Sequence, residues 1–449
     1  MIDPSNLVLI SVDDHTVEPP DMFVDRVPAR YLDDAPRIVE DADGSVAWVY
    51  DGMKLPNIGL NAVAGRPNDE WGFEPSRFED MRRGCYDIDA RVEDMNAAGV
   101  LASVCFPSFP TISGALFTFR GDRQISGVMV KAYNDWHVED WCGAHPDRFI
   151  PMGILPLWDP QQAAAEVRRL AGVGCHAVTV PQHIGNYGQP PWQDNHWDVL
   201  WEAVCENDTV VNIHIGTGGG VPVPSDQTSY LAYNAMLALD TGRFTADLLF
   251  SRVLKDFPTI TFALSEGGIG WIPFLLERFE DVYGRQRAWT GDDLGDGNTP
   301  TDVFRRNFLS CFIRDRVGIE NRHRIGVETI CWEMDYPHSD SSWPDAPEQL
   351  AAELDGCSAD EVEAITWRNA ARAFGYRGVE RLGRENCTVA ALRQRVEGKG
   401  LSTPKVDVDR IPKPGVHAIT YGEMKARMST IMAGGASSSQ KATAESSDG

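Results

Sequence analysis

The 449-residue chain combines 43% hydrophobic with 24% charged residues, a composition typical of globular rather than disordered proteins. Its 41 Lys and Arg against 66 Asp and Glu give a formal net charge of −25, which repels phosphate backbones and argues against a nucleic-acid partner. Because no apolar run approaches the ~20 residues of a membrane helix and no signal-peptide pattern opens the chain, we expect a cytoplasmic protein without membrane association. Nine scattered cysteines without a CxxC pair indicate reduced thiols.

Short apolar runs alternate with amphipathic helical stretches, and this alternation predicts parallel β/α units. The eight predicted strands are Leu7–Val12, Leu101–Phe106, Phe149–Leu155, His176–Val180, Val210–Ile215, Ile260–Leu264, Leu309–Ile313 and Thr329–Trp332. The predicted helices between them include Asp87–Ala98, Gln124–Ala144, Pro160–Ala171, Trp197–Glu206 and Thr245–Phe257, the last stopped by a proline. Eight units favour an α/β fold with a closed (β/α)8 TIM barrel. A doubly wound open sheet is the alternative, but no GxGxxG follows the first strand and no GxxxxGK[ST] occurs.

The barrel is predicted over residues 1–376, with an insertion at about 36–84 that interrupts the first β/α unit. Within the insertion, the run AWVYDG at 47–52 predicts a small hairpin with a turn, which we interpret as part of a cap over the barrel mouth. Residues 377–432 are predicted to form a C-terminal extension. The Ser, Ala and Gly-rich residues 433–449 are predicted to be a disordered tail.

Side chains able to bind metal follow five of the predicted strands, where the catalytic groups of a (β/α)8 barrel lie. They are Asp13 and His15 after strand one, His183 after strand four, His214 in strand five, Glu266 after strand six, and Asp335 with His338 after strand eight. The Asp13-x-His15 spacing places both side chains on one face of a strand, as two ligands of one ion require. Taken together, these positions predict a metal site at the barrel mouth.

Each residue also has a structural interpretation. A lone histidine near a strand end is usually a hydrogen-bonded structural residue, and an aspartate there is usually a helix N-cap. Glu266 could cap a helix starting near Ile269, His338 could orient a ligand, and His183 could either contact substrate or serve a structural role. The glycine-rich run 216–220 lacks the residues of a phosphate loop, so we expect it to let the backbone approach the site closely.

Four segments resemble the amidohydrolase-related proteins grouped with aminocarboxymuconate-semialdehyde decarboxylase. They are VDDHTVEPP at 12–20, NIHIG at 212–216, SEGGIGWIP at 265–273 and DYPHSDS at 335–341. The resemblance runs from about Val8 to Gly375, where RNAARAFG at 368–375 is similar to the last helix of that family. It implies a divalent metal ion, commonly zinc or manganese. Carried over position by position, the implied ligands are Asp13, His15, His214 and Asp335.

Two positions depart from that family. Glu266 stands where the decarboxylases usually have a catalytic histidine, and His183 stands where dinuclear amidohydrolases have a bridging Lys or Glu. Both side chains bind metal in other proteins, so the sequence leaves room for a second ion, including iron, held by His183, Glu266 and a shared carboxylate.

The expected function is non-oxidative decarboxylation or hydrolysis of a small carboxylated compound. In hydrolysis Asp335 would take a proton from water while Glu266 or His338 protonates the leaving group; in decarboxylation one of these side chains would protonate the carbon that loses CO2. Substrate contacts are expected from His183 and from Arg120, near the cap.

Two alternatives stay open at this point. A few proteins similar to the family carry a dinuclear iron or iron–manganese centre and hydroxylate small molecules, sometimes as a complex of two related subunits. The chain could instead be the metal-bound, non-catalytic partner in such a heteromer. A homo-oligomer is expected otherwise.

Overall fold

The computed structural model describes residues 2–56, 58–71, 77–295, 297–406 and 418–426. Its strands, in chain order, are β1 (Ile10–His15), β2 (Arg37–Glu40), β3 (Val46–Tyr50), β4 (Met53–Leu55), β5 (Ala102–Phe106), β6 (Phe149–Ile150), β7 (Gly153–Ile154), β8 (Ala177–Thr179), β9 (Val210–His214), β10 (Thr261–Ser265), β11 (Phe308–Phe312) and β12 (Ile330–Trp332). All eight predicted strand positions are confirmed. The third is broken into β6 and β7 around Pro151 and Met152, and the first begins at Ile10 and runs on to His15.

The barrel consists of two parallel arcs, in the orders β1-β5-β6 and β12-β11-β10-β9-β8-β7. The broken third strand joins the arcs on one side. On the other side β1 and β12 meet, and backbone hydrogen bonds close the barrel there: the Asp335 N–H donates to the Asp13 carbonyl (2.8 Å), and the His15 N–H donates to the Tyr336 carbonyl (2.6 Å). We call this junction the seam. The α/β barrel expected from the sequence is therefore confirmed.

Two side chains of β1 complete the seam. Ser11 Oγ accepts the Met334 N–H (2.8 Å), and Asp14 Oδ1 accepts the Tyr336 N–H (3.0 Å). Both bonds satisfy buried backbone N–H groups, and they lie where the register of β1 against β5 shifts between Ser11 and Asp14. Asp14 is fully buried, and Ser103 of β5 also donates to it. Side chains of β1 thus hold β5 and β12 beside it.

Helices surround the barrel. They are α1 (Ile88–Ala98), α2 (Ala115–Phe119), α3 (Arg123–Trp136), α4 (Pro160–Ala171), α5 (Asp198–Glu206), α6 (Tyr230–Ala235), α7 (Leu237–Leu249), α8 (Val253–Asp256), α9 (Ile272–Thr290), α10 (Pro300–Asn307), α11 (Arg316–Glu320), α12 (Arg322–Ile325), α13 (Ala346–Glu353), α14 (Ala359–Glu363), α15 (Asn369–Ala373), α16 (Gly378–Leu382) and α17 (Val389–Gln394). None of the helices in the described ranges is long and apolar enough to cross a lipid bilayer.

Two predicted helices differ from the structure in their bounds. The stretch Gln124–Ala144 is α-helical only to Trp136, after which His137–Cys142 forms a turn of π-helix. The stretch Thr245–Phe257 is split between α7, which starts earlier at Leu237, and the short α8. Ser251 explains the break, because its Oγ accepts the Val253 N–H (3.2 Å), a local side-chain bond that restarts the helix. The proline at 258 follows the end of α8, as expected.

The insertion forms a three-stranded antiparallel sheet of β2, β3 and β4, with a turn at Asp51 and Gly52 whose φ angles are 47° and 71°. The predicted hairpin is thus confirmed. The insertion also lies over the barrel mouth, because the Ala64 N–H donates to the carbonyl of Pro337, which follows β12 (2.9 Å). Its Trp48 is buried against Phe109, with ring centroids 4.5 Å apart.

At the opposite end of the barrel, the C-terminal extension covers the interior. Val379 and Leu392 belong to the same buried cluster as the inward-facing strand residues, and the Val389 N–H donates to the Leu7 carbonyl ahead of β1 (2.9 Å). The tail predicted at 433–449 lies outside the described residues. The nine cysteines are all free thiols, as the sequence predicted.

The seam gives a stability prediction. Ser11→Ala leaves the buried Met334 N–H without its acceptor, so we expect the free energy of unfolding to fall by about 1–3 kcal/mol in urea titrations. The matched control is Ser310→Ala on β11, because within the described ranges this buried hydroxyl has a single hydrogen-bond contact, with the Thr329 hydroxyl at 3.5 Å. Equal losses in the two variants would show that the Ser11 bond has no special part in closing the barrel.

Candidate metal centre

The first and fifth barrel strands bring three predicted ligands together. Asp13 and His15 point to the same side of β1, with His15 Nε2 3.4 Å from Asp13 Oδ1. His214 ends β9, and its Nε2 lies 3.4 Å from Asp13 Oδ2 and 3.3 Å from His15 Nε2. All three side chains are buried. The Asp13 and His15 side chains therefore share one face of β1, as strand alternation predicted.

The fourth predicted ligand arrives from the segment after β12. Asp335 Oδ1 lies 3.2 Å from His15 Nε2. His338 Nδ1 lies 3.2 Å from the same oxygen, and the His338 ring stacks on the His15 ring at 3.6 Å. The donors thus form two overlapping groups, Asp13 with His15 and His214, and His15 with Asp335 and His338. His338 is as close to Asp335 as His15 is, which adds it to the candidate donors.

In the contact between His214 and Asp13, both facing atoms carry lone pairs and no hydrogen lies between them. His214 Nδ1 lies 2.7 Å from the Ile215 carbonyl and must donate to it, so its Nε2 presents a lone pair toward Asp13. Neither carboxylate oxygen of Asp13 accepts a hydrogen bond within the described part of the chain. Donors around an ion bound tetrahedrally at ~2.0–2.2 Å lie about 3.3–3.6 Å apart, which agrees with the spacings here. The donor set therefore fits a divalent cation.

The charges support the same conclusion. Burial raises the pKa of Asp13 well above its usual range, and the neighbouring carboxylates of Glu333, Asp335 and Glu266 raise it further. Burial lowers the pKa of His214 to about 4, so its ring is neutral and available as a ligand. Several buried carboxyl groups packed together resist ionisation, and a divalent cation among them would stabilise their ionised forms.

Glu266 lies beside these donors. It follows β10 with a positive φ of 53°, and its Oε2 is 3.3 Å from His214 Nε2. The interpretation of Glu266 as a helix cap is wrong, because α9 begins at Ile272 and Asp315 Oδ2 accepts the Ile269 N–H ahead of it (2.7 Å). Burial, followed by the carboxylate of Asp335, raises the pKa of Glu266 well above its usual value.

The sequence analysis missed Glu333. This fully buried residue follows β12, and its Oε1 accepts the Glu266 N–H (2.9 Å), which fixes the backbone of Glu266 in its left-handed conformation. Its Oε2 has no hydrogen-bond partner among the described residues. The sequence contained a weak signal for it, because Glu333 stands two residues before Asp335, as Asp13 stands two residues before His15.

His183 and Arg120 lie apart from the donor groups. His183 Nε2 contacts Asp240 Oδ1 of α7 (3.2 Å), and His183 belongs to neither candidate metal group among the described residues. The second-ion set suggested by the sequence is therefore not brought together. Arg120 is exposed at the end of α2, where its carbonyl accepts the Ser126 hydroxyl (2.8 Å). Substrate contact by these two residues stays a prediction.

The glycine-rich loop after β9 approaches His183 and Asp240 closely, whereas the sequence predicted a close approach of its backbone to the metal site. A Cβ atom on Gly218 would lie 2.6 Å from Asp240 Oδ2 and 2.6 Å from the His183 ring, so a larger residue would not fit. Thr217 ties the loop to the candidate ligand His214, because its Oγ1 donates to the His214 carbonyl (2.7 Å). The loop is thus packed against a ligand-bearing strand end.

Two curated relatives are decarboxylases. Decarboxylase orsB of Emericella nidulans is 23% identical over 312 residues, which cover 63% of this chain and 83% of the relative. The gamma-resorcylate decarboxylase of a Rhizobium species is 24% identical over 294 residues, which cover 62% and 85%. These relatives support the lyase interpretation rather than the oxygenase alternative.

Solved structures share the fold. An amidohydrolase of Mycobacterium avium subsp. paratuberculosis K-10 aligns with a TM-score of 0.61 at 22% identity, over 82% of this chain and all of that one. The 5-carboxyvanillate decarboxylase of Sphingomonas paucimobilis gives 0.59 at 20%, over 82% and 99%. A dihydroxybenzoic acid decarboxylase of Polaromonas sp. JS666, with bound manganese and the inhibitor 2-nitroresorcinol, gives 0.57 at 19%, over 84% and 99%.

The family model described as Amidohydrolase matches residues 29–376, the larger part of the chain. This match confirms the family and the enzyme class expected from the sequence, a metal-dependent enzyme of the amidohydrolase superfamily. The chain belongs to the amidohydrolase family.

Proposed function

We propose that this protein is a metal-dependent, non-oxidative decarboxylase of a small aromatic carboxylate. The observation that carries the proposal is the position of Glu266, whose carboxyl oxygen lies 3.3 Å from His214 Nε2 at the edge of the metal donors. An acidic group at this place can deliver a proton to a substrate held by an ion that the same donors would bind. The decarboxylase relatives support the choice of reaction.

Asp13, His15, His214 and Asp335 are the proposed ligands. Oxygen and imidazole donors of this kind accept zinc or manganese, and the manganese in the Polaromonas structure makes manganese a leading candidate. When bound, the ion polarises the substrate carboxylate and a neighbouring oxygen. Asp335 suits the ligand role: although burial acts in the opposite direction, His338 and His15 hold its pKa below the usual value and keep it ionised.

Glu266 supplies the proton in the proposed reaction. Its carboxylic acid protonates the ring carbon that bears the carboxylate, and a π electron pair of the ring forms the new C–H bond. The bond from that carbon to the carboxylate then breaks, and its electron pair returns to the ring and restores the aromatic system as CO2 leaves. The resulting Glu266 carboxylate then regains a proton from solvent. Asp340, an exposed residue hydrogen-bonded to the Glu266 side chain, provides a path for that proton.

The surroundings suit an aromatic substrate. Phe106 ends β5, and its ring centroid lies 5.1 Å from the His214 ring and 5.7 Å from the His15 ring. An aromatic side chain packed beside the metal donors favours a flat ring as neighbour, while an ion bound by those donors would hold the substrate carboxylate. The dihydroxybenzoic acids named for the relatives are therefore the first compounds to assay.

The first prediction concerns the ligands. We expect His15→Ala and His214→Ala each to lose the ion, because a vacated donor position is refilled only by weakly bound water. Metal counting on protein purified without added metal measures this. His183→Ala, which changes a histidine outside the donor groups, should keep the wild-type content. Near-stoichiometric metal in either ligand variant would remove that residue from the site.

The second prediction tests the proton donor. Glu266→Gln keeps the shape but cannot transfer a proton, so turnover of 2,6-dihydroxybenzoate should fall by ~10²–10⁴ while metal content stays constant. Glu202→Gln, at an exposed glutamate on α5, is the control and should behave as wild type. Loss of metal in Glu266→Gln would instead make Glu266 a ligand, and unchanged turnover would exclude it from the chemistry.

The third prediction separates hydrogen bonding from charge at Glu333. In Glu333→Gln the amide oxygen can still accept the Glu266 N–H, whereas Glu333→Ala leaves that N–H without an acceptor. We expect Glu333→Ala to lower kcat by about tenfold or more, and Glu333→Gln to recover most of it. Hydrogen exchange at the Glu266 amide should accelerate in the alanine variant alone. Equal activity of the two variants would show that this bond does not position Glu266.

A further inference from the structure

The C-terminal extension returns to the barrel mouth, although it lies beyond the segment that matches the family model. After residue 400 it contacts the edge of the insertion: the Arg83 N–H donates to Ser402 Oγ (3.2 Å), and the Lys405 N–H donates to the Glu79 carbonyl (2.8 Å). The extension thus reaches from the closed end of the barrel to the side where the insertion covers the mouth.

Residues 418–426, which we call the closing segment, contact a different part of the mouth. They pair in antiparallel fashion with the chain ahead of α6, which follows β9. The Tyr230 N–H donates to the Ile419 carbonyl (2.9 Å), and the Tyr421 N–H donates to the Thr228 carbonyl (2.7 Å). The closing segment therefore forms a single antiparallel β-bridge with the long connection after β9.

The closing segment has a defined local structure of its own. Residues 421–426 are helical, and Thr420 with Glu423 forms a capping box: the Thr420 N–H donates to Glu423 Oε2 (2.8 Å), and the Glu423 N–H donates to Thr420 Oγ1 (3.2 Å). Met424, in the first turns of this helix, is only 8% exposed. Capping and burial together indicate a docked element with a fixed position.

A chain of contacts leads from the closing segment to the metal donors. The Tyr421 ring lies 4.9 Å from the Tyr233 ring of α6. The Tyr233 hydroxyl packs on Gly220, where an added Cβ would lie 2.4 Å from it. Gly220 ends the glycine-rich loop that begins after His214. The closing segment thus packs against α6, and α6 packs against the loop that follows the proposed ligand His214.

We propose that the closing segment is a specificity-determining element, which fixes residues 216–230 as one wall of the substrate site and so sets which substrates bind. Glycines at 216, 219 and 220 have positive φ angles, so the path of this wall depends on glycine at these positions. The Tyr187 hydroxyl donates to the Thr217 carbonyl (2.8 Å) and the Tyr233 hydroxyl packs on Gly220, so contacts with neighbouring segments hold the wall in place. The inference rests on the proposed function for the identity of the substrate. It assigns no proton transfer and no metal ligand to the segment.

The test compares two truncations of the metal-loaded enzyme. Ending the chain after residue 417 removes the closing segment, and ending it after residue 426 is the matched control that keeps it. We expect the shorter form to retain its metal content and to keep kcat within about twofold, while KM for 2,6-dihydroxybenzoate rises about tenfold. Hydrogen exchange in residues 216–230 should accelerate in the shorter form alone.

Point variants keep the test informative if the shorter form misfolds. Tyr421→Ala removes the ring that contacts Tyr233 and should raise KM and local exchange in the same direction, whereas Lys425→Ala, at an exposed position, should change neither. Wild-type KM and exchange in Tyr421→Ala would overturn the inference. If the full-length enzyme releases no CO2 from any dihydroxybenzoate, the proposed function fails, and the exchange data alone then decide whether the segment holds the wall.

Discussion

The hydrogen bond from the Asp335 N–H to the Asp13 carbonyl connects the two ends of the barrel, and it joins two proposed ligands of one ion directly. The contacts that close the barrel therefore also position two of the proposed ligands. Asp335 has a positive φ of 57°, a conformation that costs a non-glycine residue of the order of 1 kcal/mol and persists only where the surroundings impose it. The seam, with its bonds from Ser11 and Asp14, provides those surroundings.

Charge is distributed unevenly around this junction. Behind it, the buried Arg91 donates to the His15 carbonyl (2.6 Å), and its charge opposes the rise that burial causes in the pKa of Asp14, which reaches about 6. On the side of the metal donors, burial raises the pKa of Asp13, and the neighbouring groups that raise it further are carboxylates. The protein thus compensates one buried carboxylate with its own cation and leaves the others facing a site for a metal ion.

Much of this arrangement follows from short-range sequence patterns. The eight strands were predictable because buried parallel strands are short apolar runs, and Asp13 with His15 followed from strand alternation. The family motifs then supplied His214 and Asp335. The interpretation of Glu266 as a cap failed because the true acceptor, Asp315, comes from the segment after the next strand.

The remaining features depend on contacts between residues far apart in the chain. Glu333 accepts the Glu266 N–H across β11, and no local sequence pattern specifies that hydrogen bond. The closing segment pairs with residues about 190 positions earlier, and nothing in its composition indicates a partner. The helix predicted at Thr245–Phe257 failed for a local reason, since a single serine hydroxyl interrupts an otherwise helical stretch.

The central claim is that bound metal and Glu266 remove CO2 without an oxidant. The most direct measurement is CO2 release from 2,6-dihydroxybenzoate under argon, with protein that has been stripped by a chelator and then reloaded with manganese or zinc. The account predicts no release by the stripped protein, and recovery after reloading with one CO2 for each resorcinol formed. Turnover that requires O2, or that survives removal of the metal, would contradict it.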